Sequence, residues 1–179
     1  RNRIPASAVR RVSSVKLEAL TPRKGLHPSV GALLVGKTSR ANELGIHLRL
    51  DRESTLSEES LWLPPEAYVT ILGNLIENAI EVLNQSRRAI KEVSVSIRES
   101  EDSLLLCVED TGPGISPALR QTLFQRGVST KGRSRGTGLA LVQEVVEAYH
   151  GQIRVESEPG VGTSFFVSFC REEVPEDGE

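Results

Sequence analysis

From Ile46 onward the spacing of apolar residues fixes the order of the elements, and that order admits few folds. Ile46, Leu48 and Leu50 alternate with His47, Arg49 and Asp51, the period of a half-buried strand. A helical face follows, opened by Pro64-Pro65 and running to about Ser86, with Val69, Leu72, Leu75, Ile76, Ala79, Ile80 and Leu83 on its apolar side. Val93, Val95 and Ile97 return to period two. Ser100-Glu101-Asp102-Ser103 then links them to a strand ending at Asp110, as in an antiparallel hairpin. A short helix from Pro117 to Gln125 and a longer one from Leu139 to His150, stopped by Gly151, come next. Two strands close the pattern, 152–157 and 163–170, joined by Glu158-Pro159-Gly160-Val161-Gly162. Five strands in mixed directions with about three helices able to share one face predict an α+β fold, a two-layer α/β sandwich. The order is not a regular βαβ series, which disfavours a doubly wound sheet.

Ahead of Ile46 the period is helical. Val9, Val12, Val15, Leu17 and Leu20 recur loosely at helical spacing until Thr21-Pro22-Arg23-Lys24-Gly25 breaks them. Val30, Leu33, Leu34, Thr38 and Ala41 then mark a second helix from Pro28 to Leu44, with Gly45 as its stop. The pair reads as a helical hairpin over 1–44, too small to stand alone and so expected either to pack on the rest or to pair with a second copy, in front of a main domain over 45–170 and an acidic tail over 171–179. At 179 residues the chain holds one substantial domain with a short appendage. A net charge of −2 and an aromatic content of 4% argue against a nucleic-acid surface. No run approaches the roughly 20 apolar residues of a membrane span. The chain opens on Arg1 and contains no Met, so it is read as a portion of something longer. Cys107 and Cys170 fall on separate strands and are expected as buried thiols. Scattered histidines and the absence of a C-x-x-C pair give no protein-ligated zinc or haem site.

Three stretches carry chemistry. Asp110-Thr111-Gly112-Pro113-Gly114-Ile115 places a carboxylate and two glycines where a strand gives way to a helix. Such a carboxylate can accept from an amino group, and the glycines let a flat ligand approach the main chain, although the same residues also make an ordinary turn. Asn74 and Asn78 lie four apart on one face of the long helix. As poor helix formers they ask for a reason, and oxygen ligation of Mg²⁺ beside phosphates supplies one. Gly136-Thr137-Gly138-Leu139 opens a helix whose N-terminus favours anions, after a loop bearing Lys131, Arg133 and Arg135 suited to closing over a polyphosphate.

In their order along the chain these stretches resemble the motifs of histidine kinase catalytic domains. Asn74 to Asn78 is similar to the N box, Asp110 to Ile115 to the G1 box, and Leu123-Phe124 with Gly127 to the F box. Gly136-Thr137-Gly138-Leu139 is similar to the G2 box, and Gly160-Val161-Gly162-Thr163 to the third glycine motif. Asn78-Ala79-Ile80-Glu81 and the lid from Gly127 to Gly132, with Ser129, Thr130 and Lys131, resemble the citrate and C4-dicarboxylate sensor kinases. The resemblance implies a Bergerat-type ATP site. In it Asp110, Gly112, Gly114, Ile115 and Thr163 form the adenine end, with Asn78 the Mg²⁺ ligand and Asn74 and Glu81 in the same cleft. Ser129, Thr130, Lys131, Gly136, Thr137, Gly138 and Leu139 then meet the phosphate tail, and Phe124 anchors the lid.

The same resemblance implies γ-phosphoryl transfer to a His that is helical and followed by an acid. His27 precedes Pro28, His47 lies in a strand and His150 ends a helix, so the acceptor is expected outside the chain. No residue here is then assigned a catalytic role in the strict sense. The implied partners are the phosphoacceptor helix of the same or a sister subunit, a response regulator, and a second copy of the full-length protein. The implied location is the cytoplasmic side of a bacterial inner membrane, reached through segments not present in this chain. Two other readings stand beside it. One is a hydrolytic ATPase or serine kinase of the same superfamily, which the amide at Asn74 opposes because it cannot serve as a base. The other is a scaffold that has lost catalysis.

Overall fold

The computed structural model describes residues 25–60, 62–124 and 138–171. The first helix expected, over residues 1–20, lies outside them, as do the lid from Gly127 to Gly132 and all but Arg171 of the acidic tail.

Helix α1 spans Pro28–Glu43. Pro28 starts it and the His27 ring caps it, Nδ1 accepting from the Ser29 N–H at 3.2 Å. Gly45, at φ +68°, ends it in the left-handed region that glycine enters without a Cβ penalty. Strand β1, His47–Leu50, follows, and α2, Pro65–Gln85, is the longest element. Its buried stripe holds Ala67, Tyr68, Ile71, Leu72, Leu75, Ile76, Ala79, Ile80 and Leu83. Val69, expected on that stripe, is 37% exposed, because the stripe is centred on 68, 72 and 76. Strands β2, Glu92–Glu99, and β3, Ser103–Asp110, form the predicted hairpin. After α3, Pro117–Thr122, and α4, Gly138–Ala148, strands β4, Gln152–Glu158, and β5, Gly162–Cys170, complete the sheet.

The sheet order is β1-β2-β3-β5-β4, with β1 and β2 parallel and every other pair antiparallel. This is the mixed five-stranded sheet and two-layer α+β sandwich that the periodicities predict. Helix α2 packs on β2 and β3, flanked by α1 over β1 and by α4 over β4. One core cluster lies between the layers. Of the two options for the region ahead of Ile46, packing on the rest holds for α1: its Val30, Leu34 and Ala41 side chains are fully buried in this same cluster. Cys107 is buried on the sheet's outer row, whereas Cys170, expected buried, is exposed at the end of β5; both are free thiols. Burial, and then the charge of Glu109, pushes the Cys107 thiol far up. Among the described residues no helix is long and apolar enough to cross a membrane.

Candidate functional site

The inner face of the sheet is apolar until its last row. Leu50, Val95, Val108, Phe165 and Val155 stand opposite one another across all five strands. The next row reads Leu48, Val93, Asp110, Thr163 and Ser157. Three polar side chains thus occupy positions where the period of two calls for core residues. Burying them costs free energy unless they are hydrogen-bonded, and they are.

Asp110 Oδ1 accepts from the Gly112 N–H at 2.8 Å. Burial raises the Asp110 carboxyl to about 6, and the backbone N–H groups of Gly112 and Thr163 offset only part of that rise. The Ser157 hydroxyl links the rest. It accepts from the Ile115 N–H at 2.7 Å, lies 2.9 Å from Thr163 Oγ1 and donates to the Gly162 carbonyl at 3.0 Å.

The glycines here are required by close approach. A Cβ on Gly112 would lie 2.6 Å from Asp110 Oδ1 and 2.9 Å from Val82 Cγ1. Gly114, at φ +79°, brings its backbone so near the β4–β5 turn that a Cβ would meet the Glu158 carbonyl at 2.5 Å. The two glycine segments are also joined by the Gly160 N–H, which donates to the Pro113 carbonyl at 2.8 Å.

Helix α2 stands beside this end of the sheet. Asn74 and Asn78, both half-buried, lie one turn apart, and Glu81 follows three residues later on the same side. Asn74 Nδ2 donates to the Thr70 carbonyl at 2.7 Å, which turns its oxygen toward α4, where a Cβ on Gly138 would meet it at 2.9 Å. Helix α2 therefore touches Gly138 through Asn74 and Gly112 through Val82. Leu139 packs half-buried against the core, and the Phe124 ring stands edge-on to Phe165 at 6.4 Å. The expected site residues Ser129, Thr130, Lys131, Gly136 and Thr137 lie outside the described residues.

Asn74, Asn78 and Glu81 lie along one side of α2 with Gly138 against Asn74, while Asp110, Gly112, Gly114, Ile115 and Thr163 gather at the end of the sheet, with Gly112 against Val82 of α2. Three residues that join them were not singled out: Ser157 and Arg88 lie outside the motifs, and Thr111 lies within one. Ser157 was open to detection, because it follows Ile153 and Val155 at period two and so puts a hydroxyl in a core row. Arg88 and Thr111 had no such signal, since their partners are distant backbone groups.

With this geometry in hand, the likeness to known proteins is informative. Residues 64–173 match the family described as histidine kinase-, DNA gyrase B-, and HSP90-like ATPase. The sensor histidine kinase DcuS of Escherichia coli strain K12 is 43% identical over 152 residues, which are 85% of this chain and 27% of DcuS. A probable C4-dicarboxylate sensor kinase of Halalkalibacterium halodurans is 39% identical over 140 residues, 78% of this chain and 26% of that protein. The sensor protein CitS of Bacillus subtilis is 36% identical over 143 residues, 80% of this chain and 26% of CitS. The chain thus spans about a quarter of the length of these curated relatives. Among solved structures, full-length ShkA in complex with AMPPNP superposes with a TM-score of 0.62 at 26% identity, covering 84% of this chain and 32% of ShkA. The mycobacterial sensor histidine kinase MprB shares the fold, with a TM-score of 0.60 at 21% identity over 79% of this chain and 93% of its own. A polar row closing the sheet, glycines abutting one long helix at two points, and a family match over residues 64–173 converge: the chain belongs to the histidine kinase-, DNA gyrase B- and HSP90-like ATPase family, with the citrate and C4-dicarboxylate sensor kinases among its relatives.

Proposed function

We propose that this chain is the ATP-binding catalytic portion of a two-component sensor histidine kinase, passing the γ-phosphoryl group of ATP to a histidine outside the chain. The observation that carries the reading is the polar row at the end of an otherwise apolar sheet face. In this reading the half-buried carboxylate of Asp110 and the two amides on α2 line one nucleotide site. Asp110 accepts the adenine amine, and Thr163, held by Ser157, supports that end. Gly112 and Gly114 let the base approach, with Ile115 fixed through its N–H.

At the other end Asn78 offers an amide oxygen on the cleft face of α2, the ligand type Mg²⁺ accepts alongside phosphate oxygens and water. The ion supplies charge neutralisation for the transferring phosphoryl group. Asn74 and Gly138 shape the wall beside it, Glu81 borders it, and Ser129, Thr130, Lys131, Gly136, Thr137 and Leu139 complete the phosphate end. The likeness of the curated relatives supports this reading, as does the setting of the three histidines. His27 caps α1, His47 lies in β1, and His150 sits in a left-handed turn at φ +59°, so none is a helical acceptor.

In this reading residues 1–44 belong to the dimerisation region, whose phosphoacceptor portion lies outside this chain. The partners are then that helix in the same or a sister subunit, a response regulator, and a second copy of the full protein on the cytoplasmic side of a bacterial inner membrane. The amide at Asn74 leaves no general base at that point of the cleft, which weighs against a hydrolytic ATPase.

Calorimetric titration with Mg-ATP tests the site. The parent chain binds, and Asp110→Ala binds at least about tenfold more weakly, the loss of one charge-assisted hydrogen bond. Equal affinity in the two proteins rules out Asp110 as the adenine acceptor.

A further inference from the structure

The adenine end of the cleft is built from two irregular glycine segments, and irregular backbone holds its place only through its hydrogen bonds. One of those bonds, Gly160 N–H to the Pro113 carbonyl, joins the two segments directly, and Ser157 links Ile115 to Gly162 and Thr163. A second set comes from the connection between α2 and β2, residues 86–91, which contains none of the recognised motifs.

Thr111, directly after Asp110, gives every polar group it has to that connection and to Glu92, the first residue of β2. Its N–H donates to the Glu92 carbonyl at 3.1 Å. Its hydroxyl accepts from the Glu92 N–H at 3.0 Å and donates to the Ile90 carbonyl at 3.0 Å. Its carbonyl accepts from Arg88 Nε at 3.0 Å. The same guanidinium reaches the second glycine segment, where Nη2 donates to the Val161 carbonyl at 3.5 Å. Arg88 is half-buried and leaves from the foot of the helix that carries Asn74 and Asn78. A planar fork with fixed donors suits such a double contact, which a lysine ammonium cannot reproduce.

We propose that Arg88 is a positioning residue for the adenine end. It ties the Asp110–Ile115 segment to the Gly160–Thr163 segment and sets both at a fixed distance from the amide face of α2. The inference rests on the ATP reading above. Arg88 touches no nucleotide in it and acts through the carbonyls of Thr111 and Val161. Its loss therefore weakens recognition of the base while leaving the phosphate end as it was.

Two probes separate these ends in the whole 179-residue chain: Mg-ATP, and Mg-tripolyphosphate, which has no base. In Arg88→Ala, calorimetry is expected to give Mg-ATP affinity about tenfold lower, with Mg-tripolyphosphate affinity unchanged and the preference for ATP over GTP reduced. Arg88→Lys, which keeps the charge and one donor, recovers part of the loss and carries the test alone if the alanine variant does not fold. Unchanged ATP affinity in the variant tested overturns the proposal, and so does an equal loss for ATP and tripolyphosphate, the mark of a general structural defect. Failure of the unsubstituted chain to bind Mg-ATP refutes the ATP reading itself, a result distinct from either.

Discussion

A carboxylate enclosed at the end of two strands loses hydration that its backbone partners replace only in part, which is why Asp110 rises to about 6 from an ordinary value of 3.8. The sign of the linkage follows. A carboxyl raised in the folded state contributes most to stability below about pH 3.8, and that contribution is lost as pH rises through about 6. At pH 7 the ionised form therefore costs the folded protein on the order of 2 kcal/mol, after allowance for the solvent that still reaches it. Asp110→Asn keeps an acceptor for the Gly112 N–H and removes the charge. It should stabilise the ligand-free protein by about 2 kcal/mol at pH 7 and by almost nothing near pH 4, read from urea midpoints at the two pH values. No gain at pH 7 would mean that burial of the carboxylate is not what perturbs it. The same substitution weakens ATP binding in the proposed site, so one residue holds function and stability in opposition. Its importance was legible beforehand, because an acid followed by Gly-Pro-Gly at a strand end is a local pattern. The physical reason for its environment was not, since Thr163 and Ser157 lie more than forty residues away in sequence.

Among the elements, α2 was predicted within a residue at each end, because proline, period and length all agreed. The helix also carries a partner the periodicity does not reveal. Glu77, between the two cleft asparagines, receives Lys37 Nζ at 2.6 Å and Arg40 Nε at 3.0 Å from α1. Burial pushes its carboxyl up, yet the hydrogen bond and charge of Lys37, followed by Arg40, outweigh this and hold it below the usual value. The stabilisation is thus present above about pH 4.5 and lost as pH falls through the lower folded value. All three groups keep contact with water, so Glu77→Gln should cost below about 1 kcal/mol, and less in molar salt than in dilute buffer. Denaturation at the two salt concentrations checks this; a salt-independent loss would assign the effect to packing instead. The glycine segments show the limit of sequence reading at this scale. Gly112, Gly114 and Gly138 were each assigned to a ligand, and each also removes a clash with Asp110, Glu158 or Asn74. Composition cannot tell these two demands apart.

For the molecule as a whole, the informative difference concerns α1. The change of period at Ile46 left open whether the preceding helix packs on the sheet or pairs with a second copy; Val30, Leu34 and Ala41 are fully buried in the cluster that holds the sheet to α2. A switch from helix to strand reports a new element, and only burial reports a new core. Leu34→Ala should accordingly cost about 2–5 kcal/mol, with unfolding still a single transition by both far-UV and near-UV signals. Two separated transitions would show that α1 folds apart from the sheet. The contacts that α2 makes at Asn74 and Val82 fix a length as well. Eight residues separate these positions, about 12 Å of helix axis, and each abuts a different glycine segment. The helix is a ruler whose unit is the turn. Side chains along it can be exchanged singly, but one residue inserted between the two marks swings them about 100° out of alignment. A chain that keeps both contacts can therefore vary its loops, but not the count of residues from Asn74 to Val82.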